Sequence, residues 1–202
     1  MSHWRELPDI WRASFEQAAI AYLQLGSAPI GAVIVDERRE IVARGANNFE
    51  ASRLAHAEMI ALSAIPPGID RSKCEIYSTV EPCLMCIGAI RLCQLRGAHF
   101  AALDPAAGST AFLSANEFMR EFSCSVYSPI TPALEFVVVA LISEFRTRTG
   151  HHRWRERWMR YHARGANFGG RLASSNAYRQ WVNSSISAEH LYESLAASHE
   201  AA

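Results

Sequence analysis

The strongest constraint on how this chain folds is the order of its apolar runs, in which short β-branched stretches of strand length alternate with longer stretches of helical spacing. From Asp9, read as an N-cap, Ile10, Trp11, Phe15, Ala18, Ala19, Tyr22 and Leu25 recur at helical spacing as far as Gly26. Residues 31–36 and 41–44 flank the charged segment 37–40 and predict a β-hairpin whose first strand is buried on both faces. A loop over 45–53 leads to a helix over 54–65, closed by Pro66-Pro67-Gly68. Residues 74–80 predict a strand, 83–95 a helix and 99–103 another strand, followed by the turn-rich 104–109 and a helix through Phe112, Leu113 and Phe118. A strand at 124–127 and a helix from Thr131-Pro132 through Phe145 complete the series, the helix in spite of three consecutive valines. Five strand-length runs set among helices predict an α/β protein, a three-layer α/β/α sandwich around a mixed five-stranded sheet.

At 202 residues and half apolar, the chain is long enough for one domain, assigned to residues 1–150, with a helical extension over 151–202. In that extension Trp154, Trp158 and Tyr161 share a helical face, read as a docking stripe with base stacking as the alternative, and Gly165 to Gly170 separates their helix from a polar helical tail. A net charge of zero conceals an imbalance. Seven arginines and one acid lie between Arg146 and Arg164, leaving the rest of the chain at −6. Such a basic segment fits either a nucleic-acid arm or a helix docked on an acidic surface. No run approaches the roughly 20 apolar residues of a membrane span, and the first residues lack the apolar core of a secretory signal. Five cysteines, two of them in a Cys-x-x-Cys, fit a reducing compartment, so a cytoplasmic protein without structural disulfides is expected.

Two short motifs carry chemistry, His56-Ala57-Glu58 and Pro82-Cys83-Leu84-Met85-Cys86. Zinc accepts imidazole nitrogen with two thiolates, and three protein ligands leave a fourth position open for water, as catalysis requires. Two cysteines three apart at a helix start can reach one ion, and the positive end of the helix dipole favours their thiolates. Glu58 lies about 200° around an ideal helix from His56, so both can face one atom only at an irregular first turn. Placed there, Glu58 would take a proton from the attacking water and deliver it to a ring nitrogen and then to a leaving amine. A structural zinc site would need a fourth Cys or His, and the nearest cysteines, Cys74 and Cys93, are better read as small packed hydrophobes. The combination H-x-E with P-C-x-x-C is the signature of zinc deaminases.

Over residues 10–145 the chain resembles the cytidine-deaminase-like superfamily, nearest to the branch of tRNA-adenosine and guanine deaminases. The resemblance rests on Ala28-Pro29-Ile30-Gly31-Ala32-Val33, Gly45-Ala46-Asn47, Ala55-His56-Ala57-Glu58, Ser78-Thr79-Val80-Glu81-Pro82-Cys83-Leu84-Met85-Cys86 and Gly88-Ala89-Ile90. It implies the α/β/α fold, one zinc per subunit and a homo-oligomer, a dimer or larger. By position it implies a base-binding role for Asn47, a place near the nucleotide for Asp104, and pocket contacts from Pro29 and Ile30. Asn47 and Asp104 also suit turns, and Pro29 and Ile30 also suit a core. The tRNA enzymes usually carry Asp-Pro-Thr where this chain has Ser52-Arg53-Leu54, and a Lys-Thr-Gly after the Asp104 position that is missing here.

The expected function is therefore zinc-dependent hydrolytic removal of the exocyclic amine of a nucleobase or nucleoside, a purine before a pyrimidine, with release of ammonia. Adenosine-to-inosine editing of tRNA, with Arg146–Arg164 as the RNA arm, is the first alternative. A catalytically silent, zinc-stabilised interaction subunit is the second, and an intact Glu58 speaks against it.

Overall fold

Asp36 turns the chain between β1 (Gly31–Val35) and β2 (Ile41–Ala46), its Oδ1 accepting from the backbone N–H groups of Arg38 and Glu40 at 2.9 and 3.0 Å. The computed structural model describes residues 3–120, 125–127 and 131–201. β1 is buried throughout and pairs antiparallel on its other edge with β3 (Glu75–Val80). β3 pairs parallel with β4 (Gly97–Ala102), and the three residues of β5 (Ser125–Tyr127) pair parallel with β4. The result is a mixed sheet in the order β2-β1-β3-β4-β5. Cys124, expected in the last strand, lies outside the described residues.

The alternation of β1 divides the interior in two, because successive side chains leave opposite faces of the sheet. Val33 and Val35 pack with Trp11 and Phe15 of α1 (Asp9–Ala19) and with α5 (Pro132–Arg148). Ala32 and Ile34 pack with Ala57 and Ala61 of α2 (Ala57–Ser63) and with Ile87 and Ile90 of α3 (Leu84–Leu92). Cys74 and Cys93 are free thiols of this second cluster. Pro8, not Asp9, is the cap of α1: the Pro8 carbonyl accepts from Trp11 and Arg12, while the Asp9 carboxylate, one residue inside the helix, is taken by the Arg12 guanidinium. The helix expected through Phe112 and Phe118 is two short pieces, a 3₁₀ turn at Thr110–Ser114 and α4 (Glu117–Arg120).

α5 crosses the core with nearly every residue from Ala133 to Phe145 buried. Thr131 starts it, its Oγ1 accepting from the Leu134 N–H at 3.2 Å, and Pro132 occupies the first turn at no hydrogen-bond cost. Val137, Val138 and Val139 are modest helix formers, but burial around the whole helix outweighs their propensity.

Four further helices follow, α6 (His152–Tyr161), α7 (Ala163–Ser174), α8 (Ala177–Asn183) and α9 (Ala188–Ala201). Trp158, Ala166, Leu191, Tyr192 and Leu195 join the same apolar cluster as α1 and α5. Gly165 to Gly170 does not separate helices, as its composition suggested, but lies inside α7. A Cβ on Gly169 would sit 2.2 Å from the Ala140 carbonyl oxygen, and one on Gly165 2.8 Å from Val139 Cγ1. These glycines let α7 lie directly on α5, and packing rather than chain reversal accounts for them. The aromatic stripe also divides, for Trp158 is 2% exposed and Tyr161 68%.

A buried polar network fixes the far end of α5. The Tyr22 hydroxyl donates to Glu144 Oε2 at 2.5 Å and Arg148 Nε donates to Glu144 Oε1 at 2.8 Å. The Arg148 guanidinium lies 3.6 Å from the ring centroid of Tyr178 in α8. Burial, then the neighbouring Glu144 carboxylate, holds the Tyr22 phenol well above its ordinary range, so it stays a donor.

Candidate active site

α2 starts later than its composition suggests, and that shift answers the question of how His56 and Glu58 can face one point. His56 is the residue before the helix, with extended φ and ψ of −71° and 151°, and its carbonyl accepts the first helical bond from Ile60 at 3.0 Å. Glu58 is the second helical residue. The helix can approach this closely because β2 offers Gly45, where a Cβ would meet the Ala57 carbonyl oxygen at 2.1 Å. Cys83 stands before α3 in the same way, extended at φ −72° and ψ 174°, with Ile87 N–H donating to its carbonyl at 2.8 Å. Cys86 is the third residue of that helix and is buried.

The two helix starts bring three donor atoms into a near-equilateral triangle. His56 Nδ1 lies 3.5 Å from Cys83 Sγ and 3.5 Å from Cys86 Sγ, and the two sulfurs are 3.5 Å apart. Tetrahedral zinc, with Zn–S of about 2.3 Å and Zn–N of about 2.0–2.1 Å, sets its donors roughly 3.5–3.8 Å apart, so the residues fit the ion. The Cys86 thiol beside it, with help from the His56 ring, holds the Cys83 thiol down to about 4 against the opposing effect of burial. The Cys83 sulfur beside it, and then burial, push the Cys86 thiol up. Among the described residues, His56, Cys83 and Cys86 are the one group of three or more His, Cys, Asp or Glu side chains close enough to hold a metal.

Glu58 is 3% exposed and lies against the triangle, with Oε2 3.4 Å from Cys86 Sγ and Oε1 accepting from Ser78 Oγ at 2.9 Å. Burial raises its pKa, so the carboxyl takes up a proton more readily than an exposed glutamate. Glu81, also buried, holds the loop after β4: its carboxylate accepts from Asp104 N–H at 3.2 Å and from the N–H and hydroxyl of Thr110.

The cluster opens into a cavity of about 390 Å³, lined among others by Ser27, Ile30, Asn47, Phe49, Arg53, Asp104, Arg146 and Trp154. Asn47, 3% exposed, donates from Nδ2 to Ser27 Oγ at 2.9 Å, which leaves Oδ1 as its acceptor for a ligand. Asp104 Oδ1 accepts from the N–H groups of Ala106 and Ala107 at 2.8 and 3.1 Å, so the residue both forms a turn and faces the cavity. Burial raises the pKa of its carboxyl. Ile30 lines the cavity, whereas Pro29 is buried beside it and is not among the lining residues.

Arg146 and Trp154 were legible as parts of a basic segment and an aromatic stripe, but their place in this wall was not. Four of the basic segment's seven arginines have separate surroundings. Arg146 faces the cavity, Arg148 pairs with Glu144, Arg157 donates to the Ala106 carbonyl and Arg164 to the His199 carbonyl. Glu81 was visible as part of a motif, without a role.

Residues 6–102, which contain every member of the triangle and Glu58, match the family model of the cytidine and deoxycytidylate deaminase zinc-binding region. The tRNA-specific adenosine deaminase of Bacillus subtilis (strain 168) is 38% identical over 93 residues, 44% of this chain and 57% of that protein, little more than half its length. A solved structure from studies of A-to-I editing by tRNA:A34 deaminases is 27% identical with a TM-score of 0.54, covering 59% of this chain and 91% of that chain. The tRNA-specific adenosine deaminase of Rickettsia bellii (strain RML369-C) is 38% identical over 104 residues, 48% of this chain and 71% of that protein. With that coverage, and with the zinc-donor triangle and its buried carboxylate in place, the chain belongs to the cytidine-deaminase-like family of zinc-dependent deaminases.

Proposed function

We propose that this protein hydrolyses the exocyclic amine of a nucleobase or nucleoside, a purine before a pyrimidine, releasing ammonia and leaving a ring carbonyl. The observation that carries the reading is Glu58, a buried carboxylate held by Ser78 beside three zinc donors at the floor of a closed-in cavity. His56, Cys83 and Cys86 would hold a zinc ion. Zinc supplies the Lewis acidity that makes water a nucleophile at neutral pH. Glu58 would carry one proton of the attacking water to the ring nitrogen and the second, from the hydroxyl then bonded to the ring carbon, to the amine, which leaves as ammonia while the carbonyl forms; a carboxyl whose proton affinity burial has raised suits that relay. Asn47 Oδ1 orients the base, Ile30 packs on it, and Asp104 and Glu81 keep the loop over 104–110 against the cavity. The deaminase chemistry belongs to residues 1–150, while 151–202 closes the cavity from one side through Trp154.

Editing of an adenosine in tRNA is the second reading, favoured by the relatives named above. The dispersal of the Arg146–Arg164 side chains weighs against a continuous RNA-binding arm. We assign the protein to the cytoplasm as a homo-oligomer. Among the described residues no helix is long and apolar enough to cross a membrane, and Leu84 and Leu92 of α3 present exposed apolar side chains for self-association. Ammonia release from free bases, nucleosides and a tRNA anticodon stem-loop tests both readings. Turnover of the small molecules is expected. Activity confined to the stem-loop selects the second reading, and inactivity of the zinc-loaded protein on every amine leaves a silent interaction subunit.

A further inference from the structure

Arg146 and Arg53 bring guanidinium groups to the candidate cavity, Arg146 from the last turn of α5 and Arg53 from the loop before α2. Arg53 rests on the face of Phe49, its guanidinium carbon 4.3 Å from the ring centroid, and Arg146 lies in the same way 5.0 Å from the centroid of Trp154. Neither side chain makes a hydrogen bond or a salt bridge among the described residues, and Arg146 Nε is buried without a partner. Three of the four carboxylates that line the cavity already accept hydrogen bonds from other groups. Glu58 is held by Ser78, Glu81 by Thr110 and the Asp104 N–H, and Asp104 Oδ1 by its own turn; Glu50, the fourth, is exposed. Asp104 is near enough to Arg146 for attraction but does not pair with it. A half-buried cation that is paired with no carboxylate is unfavourable unless something else supplies the charge at close range. A planar guanidinium fork held by an aromatic face suits a phosphate.

We infer that Arg146, with Arg53 beside the same cavity, binds a phosphate carried by the substrate, so that the preferred substrate is a nucleoside 5′-monophosphate rather than the neutral nucleoside. The inference rests on the proposed deaminase reading for the identity of the ring, and it makes Arg146 a specificity-determining residue rather than a catalytic one.

The test is calorimetric titration of the zinc-loaded protein with AMP, GMP and CMP against adenosine, guanosine and cytidine, alongside ammonia release from each pair. At least one monophosphate is expected to bind about 10- to 100-fold more tightly than its nucleoside, the scale of one or two charge-assisted hydrogen bonds. The same preference is expected in KM rather than kcat. In Arg146→Gln the ratio of monophosphate to nucleoside affinity is expected to collapse towards one, and Arg146→Lys to restore part of it. Zinc content and melting temperature report whether each variant is folded, and Arg53→Gln provides a second, exposed site at which the same ratio must fall. Equal binding of nucleoside and monophosphate by the unaltered protein overturns the inference, as does a preference that survives both glutamine variants. Phosphate-dependent binding without ammonia release would sink the deaminase reading while leaving the anion site standing.

Discussion

The floor and the wall of the cavity are built by different means. On the floor, His56 and Cys83 occupy the same place at two helix starts, each extended, with its carbonyl taken by the helix that follows. Three donors and a carboxylate are thereby fixed by backbone that spans only 31 positions of sequence. The wall, Phe145, Arg146, Thr149, His151 and Trp154, is set by where one long helix emerges from the core, and by the buried Tyr22–Glu144–Arg148 network near its end. The floor should therefore govern the chemical step and the wall governs what is held there. Glu58→Gln tests the first half most severely. It keeps the shape of the side chain and its contact with Ser78 but removes the proton carrier. Turnover is expected to fall by about 10²–10⁴-fold with one zinc per chain retained, measured by ammonia release and metal analysis. Turnover within threefold of the unaltered protein would remove Glu58 from the mechanism.

The wall should be breakable through stability without touching the floor. Glu144 is fully buried and serves both the Tyr22 hydroxyl and Arg148, so Glu144→Ala strands a buried donor and a partly buried cation together. A loss of about 3 kcal/mol or more is expected from urea unfolding, at the scale seen when one partner of a buried ion pair is removed. The zinc content of the folded fraction should not change. A loss below about 1 kcal/mol would mean that packing alone sets the end of α5.

The same contrast explains what was legible in the sequence. That His56, Cys83 and Cys86 come together with Glu58 beside them could be anticipated because ligand type and spacing are local properties, and the alternation of strands and helices pointed to the mixed sheet between helical layers. The start of α2 was misplaced by three residues, since Leu54, Ala55 and His56 are good or tolerable helix formers, whereas His56 is extended and the helix begins at Ala57. Gly165 to Gly170 looked like a break because glycine is costly in an isolated helix. Its use became visible only against the residue it touches, Ala140, 29 positions earlier than Gly169. Arg146 and Trp154 failed for the same reason, because no periodicity within 146–164 says that the far end of α5 opens onto a cavity floored 60 to 90 residues upstream.

The α5–α7 contact offers a milder lesion. Gly169→Ala places a methyl group 2.2 Å from the Ala140 carbonyl oxygen and 2.8 Å from Ser143 Cβ, where neither backbone nor a short side chain can move aside easily. Overpacking of about 1–3 kcal/mol is expected in the same urea measurement. Gly88→Ala is the control, since nothing lies within 4 Å of a Cβ there. A helical alanine at that position should be neutral or slightly stabilising. Equal effects at the two glycines would show that helix propensity, not contact with α5, decides both.

The smallest expected effect belongs to Trp154, half-buried in the wall with the Arg146 guanidinium 5.0 Å from its ring centroid. Trp154→Ala removes that face and lets water reach the guanidinium, but it leaves His56, Glu58 and the cysteines where they are. If the wall holds the substrate and the floor transforms it, KM should rise by about 3- to 10-fold while kcat stays within about twofold, because binding lost equally from ground and transition states appears in KM alone. Trp154→Phe, which keeps an aromatic face, should recover most of the loss. A fall in kcat at constant KM would mean instead that the wall tightens in the transition state, and the division between the two regions of the cavity would then no longer hold.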